Sequence, residues 1–338
     1  MSPRAVILGC AGHRLSAEER QFFARFDPLG FILFARNIDA PDQVRALVAE
    51  LRQTVGRADA PVLIDQEGGR VQRLRPPHWR EAPPAARLGA LALADPAAAT
   101  EAARLNAQLI GGELAALGID TVCAPVLDLR FAGAHDVIGD RAFSSDPDTV
   151  AILAKAACEG FAAAGVMPIV KHIPGHGRAL VDSHRSLPIV EAGLGELEAS
   201  DFRPFKALAD MPWAMTGHVV YRAIDPDRPA TISPVVVARI VRGAIGFDGV
   251  LIGDDLSMGA LSGSLAGRAA ATLAAGCDLA LHCNGEMSEM TSLAEAIPAI
   301  TGATSARLGR APRPTPADLD ADFLSARLER LLEDGVHA

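Results

Sequence analysis

A chain of 338 residues that is 49% hydrophobic can bury a large core, and it exceeds an ordinary single domain unless the fold is a barrel-sized α/β structure. Its formal charge is −9, 32 basic against 41 acidic residues, and no basic run is interleaved with aromatics, which excludes the nucleic-acid-binding class. No stretch of 18 or more apolar residues occurs, so no membrane span is expected.

The first apolar run is "AVILG" (5–9). "ILGC" (7–10) has the look of a lipoprotein cleavage box, but the few residues before it cannot form a charged region followed by an apolar one, and a buried strand is expected instead. The connection that follows, "RLSAEERQFFARFDP", is short and charged, so the first unit is expected to be irregular. Further apolar runs are "GFILF" (30–34), "PVLID" (61–65), "IDTVCAPV" (119–126), "MPIVKH" (167–172), "WAMTGHV" (213–219), "GVLIGDD" (249–255) and "CDLALHC" (277–283). Continuous runs suit parallel strands buried on both faces, and the segments between them have helical composition. Eight such units predict a single-domain (β/α)₈ TIM-type barrel.

Past residue 300 the composition turns to Pro, Thr and Arg. Residues 1–300 are therefore expected to form the barrel, and 301–338 an extended segment plus a helix, ending at Gly335, that packs back on it. Cys10, Cys123, Cys158, Cys277 and Cys283 form no CxxC and no metal-type spacing, which fits buried thiols in a reducing compartment. No Asn-x-Ser/Thr sequon is present, and a cytoplasmic protein is expected, with a monomer favoured over an oligomer.

Reactive side chains gather at the C-terminal ends of the expected strands: Asp65, Asp128, Lys171 with His172, His218, and Asp254 with Asp255. In a barrel this is the face on which the βα loops build an active site. The densest stretch is "KHIPGHGRALVDSH" (171–184). His172 and His176 have the spacing of two zinc ligands on a helix, but Pro174, Gly175 and Gly177 oppose a helix there. The two glycines are instead expected to let the loop turn and move.

Extended to "KHIPGHGRALVDSHRSLP" (171–188), the stretch resembles the KHFPGHG-x4-DSH-x-x-LP signature of the bacterial β-N-acetylglucosaminidases of glycoside hydrolase family 3, the NagZ type. "LIDQEGGRVQRLR" (63–75), "CAPVLDLR" (123–130), "IGDRAFSSDP" (138–147), "MTGHVVY" (215–221) and "GFDGVLIGDDLSMGAL" (246–261) resemble other blocks of that family, in the same order. The resemblance implies retaining hydrolysis of terminal β-linked N-acetylglucosamine from muropeptide-type fragments in peptidoglycan recycling, without cofactor or metal. It also implies that Asp254 is the nucleophile, His184 the acid/base and Asp182 the partner of that histidine. Asp65, Arg73, Arg141, Lys171 and His172 match positions that hold the sugar. Gly253 departs from the pattern, which has serine before the nucleophile.

The chemistry can be argued from the residue types as well. A retaining glycosidase needs an anionic nucleophile below the anomeric carbon and a proton donor at the leaving oxygen. Histidine suits the second task because its ordinary pKa is about 6.5. Asp182, two residues away on a non-helical segment, can hold one ring nitrogen and fix the tautomer. Of Asp254 and Asp255, neighbours on a strand, one should enter the barrel mouth, and Asp255 is expected to be structural. Lys171 and His172 have a second reading as a buried ion pair and a satisfied core histidine. His176 is expected to order the loop, and Asp128 and His218 to support the site from behind. A phosphorylase on the same fold, a zinc hydrolase using His172, His176 and His184, and an inactive sugar-binding barrel are the competing readings.

Overall fold

Parallel strands follow the expected runs closely in the computed structural model, which describes residues 2–311 and 313–334. They are β1 (Arg4–Leu8), β2 (Pro28–Leu33), β3 (Val62–Ile64), β4 (Thr121–Val122), β5 in two pieces (Met167–Pro168 and Val170–Ile173), β6 (Trp213–Thr216), β7 (Val250–Ile252) and β8 (Ala280–His282). Parallel pairing runs β8–β1–β2–β3–β4 to the first piece of β5, and separately from the second piece of β5 through β6 to β7. Two parallel bridges join these sets into a ring, Val126 with Lys171 and Ile252 with Leu279. At the second seam the Gly253 amide donates to the Leu279 carbonyl at 3.0 Å. Every residue of β2, β3, β6, β7 and β8 is buried, because the ring interior covers one face and the helices cover the other.

The helices are α1 (Ala17–Phe26), α2 (Pro41–Thr54), α3 (Ala85–Ala94), α4 (Pro96–Ala115), α5 (Pro147–Ala163), α6 (Leu194–Ala199), α7 (Arg203–Ala207), a π-helix over Val236–Ala244, α8 (Leu265–Ala275), α9 (Met287–Ala294), α10 (Gly302–Arg310) and α11 (Ala321–Asp334). Their starts follow from local chemistry. Asp95 and Asp146 accept amides of the first turns of α4 and α5, each with proline at the first helical position, where no amide is missed. Ser264 caps α8, which stops at Gly276 with φ +107°.

One expectation is placed differently and one is corrected. The connection after β1 is an ordinary capped helix: Ser16 and Glu19 form a reciprocal capping box, and α1 buries Glu19 with Phe22, Phe23 and Phe26 while Glu18, Arg20 and Arg25 lie on its outer face; the irregularity of this unit is a register shift between Arg4 and Ile7 where β1 pairs with β2. Residues 302–310 form α10 instead of an extended segment, since the Thr301 hydroxyl accepts the Thr304 amide at 3.0 Å and starts a helix. The expected stop at Gly335 lies outside the described residues. α11 buries Leu324, Leu328, Leu331 and Leu332, and Arg327 forms a two-point pair with Glu101 of α4 at 2.8 and 2.7 Å. All five cysteines are buried free thiols. No helix among the described residues is long and apolar enough to cross a membrane.

Candidate active site

Strand ends bring the expected residues together. A cavity of about 210 Å³ opens where the C-terminal ends of the strands converge, lined by Asp65, Arg73, Arg141, Lys171, His172, His184 and Asp254 along with Asp255 and His176. Asp182 stands behind His184 and does not line it. A larger cavity of about 670 Å³ lies at the opposite, N-terminal end of the strands, by Met167, Met211, Gly249 and Arg307. None of the expected residues reaches it, and in this architecture that end reads as stability.

One wall is a chain of charges. Asp65 follows β3, and its carboxylate receives Lys171 Nζ at 2.8 Å and Arg73 at 3.0 Å. Lys171 Nζ also lies 2.7 Å from Glu67, which takes Arg141 in a two-point pair at 2.8 and 2.8 Å. The order Arg73–Asp65–Lys171–Glu67–Arg141 thus joins three cations through two carboxylates. Only 3% of the Lys171 side chain and 7% of the Glu67 side chain are exposed, so each charge depends on its partners. Burial alone would raise the Glu67 carboxyl, but Arg141 and then Lys171 pull it down to about 2. The same opposition, with Lys171 ahead of Arg73, holds Asp65 well below the usual carboxylate range. Arg73 Nε is buried with no hydrogen-bond partner among the described residues.

A second group is built from imidazoles. Asp128 Oδ2 is 2.6 Å from His172 Nδ1, while its Oδ1 accepts the His176 amide at 2.7 Å and the His172 amide at 3.2 Å. A carboxylate can only accept, so Nδ1 of His172 carries the proton and Nε2 is left for the cavity. By the same reasoning the Asp255 carbonyl, 2.9 Å from His218 Nε2, fixes the proton there, and Nδ1 accepts from the Thr231 hydroxyl at 2.9 Å. Burial holds the His218 pKa below its ordinary value.

Asp254 and Asp255 follow β7 and divide their tasks. The Asp255 carboxylate accepts the Cys283 amide at 3.1 Å, the Ser257 amide at 3.2 Å and the Ser257 hydroxyl, which ties the loops after β7 and β8 together. Asp254 accepts only the Asp255 amide, at 2.8 Å, among the described residues. Burial would raise its carboxyl, but His218, His172, the Asp255 amide and His184 outweigh this and hold it below the ordinary aspartate range. It is therefore an anion at neutral pH with most of its lone pairs free. Across the mouth, His184 Nδ1 is 2.8 Å from Asp182 Oδ1, which also accepts the His184 amide at 2.9 Å. Nδ1 donates to the carboxylate, and Nε2 remains available. The His184 side chain is 64% exposed.

An anionic carboxylate, an exposed imidazole oriented by a second carboxylate, and a wall of paired cations and anions suit glycosyl transfer to water. Among the described residues no three His, Cys, Asp or Glu side chains are grouped to hold a metal ion. Residues 6–310 match the glycosyl hydrolase family 3 N-terminal domain.

The chain belongs to glycosyl hydrolase family 3.

Within that family it is similar to the β-hexosaminidase of Methylococcus capsulatus, 41% identical over 97% of each chain, and to that of Pseudomonas aeruginosa (strain PAO1), 43% identical over 86% of this chain and 85% of the other. The crystal structure of NagZ from Neisseria gonorrhoeae in complex with N-trifluoroacetyl-D-glucosamine superposes with a TM-score of 0.86 at 34% identity, covering 98% of this chain and 97% of that one. This family 3 chain is thus a TIM-barrel glycoside hydrolase of the NagZ type with β-hexosaminidase activity.

Reasoning from sequence passed over Glu67 and Ser183. Glu67 is two residues from Asp65 on an extended segment, which puts both carboxylates on one side of the chain, and that spacing was the available signal. The expectation of a loop hinging at both glycines is corrected for Gly177. A Cβ there would come 2.0 Å from the Leu129 carbonyl oxygen, so this glycine permits close packing, while Gly175 has the positive φ, +136°.

Proposed function

We propose that this family 3 enzyme is a retaining exo-β-N-acetylglucosaminidase acting on terminal N-acetylglucosamine joined to anhydro-N-acetylmuramic acid in muropeptide-type fragments, in cytoplasmic peptidoglycan recycling. The observation that carries the mechanism is the pairing of a buried, anionic Asp254 with an exposed His184 oriented by Asp182 at one cavity. The Asp254 carboxylate attacks the anomeric carbon as the bond to the leaving oxygen breaks, and His184 Nε2 gives its proton to that oxygen. Water then attacks the glycosyl ester while His184 takes back a proton, releasing the sugar and restoring the Asp254 carboxylate.

Arg73, Asp65, Lys171, Arg141 and His172 are read as the sugar's hydrogen-bonding partners. The free Nε2 of His172 at the cavity supports this, because a sugar hydroxyl would satisfy it. The cavity is smaller than the roughly 300–1,000 Å³ of pockets for drug-sized ligands, which favours one terminal sugar ring, hence exo action. Residues 1–300 are read as the catalytic unit and 301–338 as a tail bracing it, its last four residues lying outside those described. Nothing in the relatives' names supports the phosphorylase reading.

Assays on p-nitrophenyl N-acetylglucosaminide and on a natural N-acetylglucosaminyl disaccharide test the roles. Asp254→Asn should abolish activity on both. His184→Ala should lose on the order of 10²-fold or more on the disaccharide and far less on the aryl substrate, whose leaving group needs little protonation. Equal losses on both substrates would overturn the acid/base assignment.

A further inference from the structure

The segment between Lys171 and Pro188 has a rigid base and an exposed tip. At the base, residues 174–177 are buried, the Tyr221 hydroxyl donates to the Gly175 carbonyl, and the His176 amide donates to Asp128 at 2.7 Å. At the tip Leu180 and Val181 are exposed, as is the His184 side chain. Between Asp182 and His184, however, Ser183 is only 2% exposed, and its hydroxyl lies 3.0 Å from His176 Nε2. Among the described residues Ser183 is the one polar side-chain partner of that ring, since His176 Nδ1 is buried with none.

The turn is also gripped from the far side. The Ala260 amide donates to the Ser183 carbonyl at 3.2 Å and the Gly259 amide to the His184 carbonyl at 3.1 Å. Both donors belong to the loop after β7, the one that carries Asp254. A Cβ on Gly259 would come 2.9 Å from the His184 carbonyl oxygen, so glycine is what allows this approach.

Resting on the acid/base reading of His184, we propose that His176 and Ser183 are positioning residues. Their side-chain contact latches the Asp182–His184 turn onto the buried loop base that follows β5 while Gly259 and Ala260 hold its other edge, so the proton donor and the nucleophile belong to one braced unit. Neither residue touches the reacting atoms in this scheme. His176 stays uncharged in the working range, because burial and then the neighbouring His172 push it down to about 4. A neutral ring can share a hydrogen bond with a hydroxyl without a counter-charge. Placement matters here because a shift of about 1 Å in a catalytic group can cost on the order of 10²-fold in rate.

The test compares Ser183→Ala, His176→Phe, the double variant and His184→Ala on the aryl substrate and the disaccharide, with Tm recorded for each. Ser183→Ala removes one oxygen and no ring, so it should fold even where His176→Phe does not. The latch predicts that Ser183→Ala loses on the order of 10-fold in kcat/KM on the disaccharide and less than about 2-fold on the aryl substrate, with Tm within a few degrees of wild type. The double variant should be no worse than the poorer single variant, since both remove the same contact. No loss, or equal losses on both substrates, overturns the latch while His184→Ala remains selective. If His184→Ala itself is not selective, the acid/base reading fails and the latch falls with it.

Discussion

Gly253 stands where the family pattern that this chain resembles has serine, and its surroundings explain how the glycine is accommodated. A Cβ at 253 would lie 2.8 Å from the Thr272 methyl and 3.0 Å from the Thr231 methyl, both on fully buried residues. The room a serine would need is already filled. The Thr231 hydroxyl meanwhile bonds His218, which in turn bonds the Asp255 carbonyl, so a hydroxyl still serves the ground behind Asp254. Gly253→Ser is therefore expected to lower stability by about 1–3 kcal/mol through overpacking, read from urea or thermal unfolding. A double change with Thr272→Ser, which removes the nearer methyl, should recover part of the loss. Restoring the family residue alone with no change in stability would contradict this packing account. Asp254 shows why neighbours on one strand take different jobs: Asp255 is tied by three donors, whereas Asp254 keeps its oxygens for the cavity.

Among the elements, short strands supply the positions and long helices supply the support. β3 ends at Ile64, β7 at Ile252 and β5 at Ile173, and the reactive residues sit at or just beyond those ends, where the backbone is still fixed by the ladder. Side chains held there need little reorganisation when substrate binds. Support from outside is tested at α11, whose Leu328 is 4% exposed and packs into the main core. Leu328→Ala is expected to cost about 2–4 kcal/mol, a fall of several degrees in Tm, with kcat and KM unchanged below the transition. A change in KM at low temperature would mean instead that α11 communicates with the distant mouth.

At the scale of the whole molecule, acid sensitivity follows from the buried carboxylates. In the unfolded chain a glutamate titrates near pH 4.3, but folded Glu67 titrates at about 2. Folding therefore favours its charged form, and the stabilisation is complete above the unfolded value and lost as pH falls toward the folded one. Asp128 behaves alike: burial would raise it, but His172 and His176 bring it to about 2. The urea midpoint is expected to start falling below about pH 6.5, where His176 takes up a proton in the unfolded chain but not in the folded one, and to go on falling between about pH 4 and pH 2 as the carboxylates are protonated. Glu67→Gln should be less stable at pH 7, because it leaves Arg141 and Lys171 short of a counter-charge, and should show a shallower acid limb. An acid limb parallel to wild type would mean that Glu67 contributes none of it.

Much of this was legible in the residues themselves. Continuous apolar runs can only be buried on two faces at once, so eight of them in alternation with helical stretches define a barrel, and the polar residues that end them define its working face. The D-x-H spacing and the order of the motif blocks point to a hydrolase of family 3, and the capping chemistry of Ser16 and Glu19 is the local signal for α1. What required the tertiary structure was every relation between segments distant in the chain. Glu67 joins Arg141 and Lys171, which lie 74 and 104 residues further along the chain, and the carbonyls of Ser183 and His184 meet amides of the loop that carries Asp254. Local composition sets which strands and helices form, because periodicity and caps act within a few residues. Charge pairing and loop contacts depend on where ring closure brings the strand ends, and so are decided by the fold as a whole.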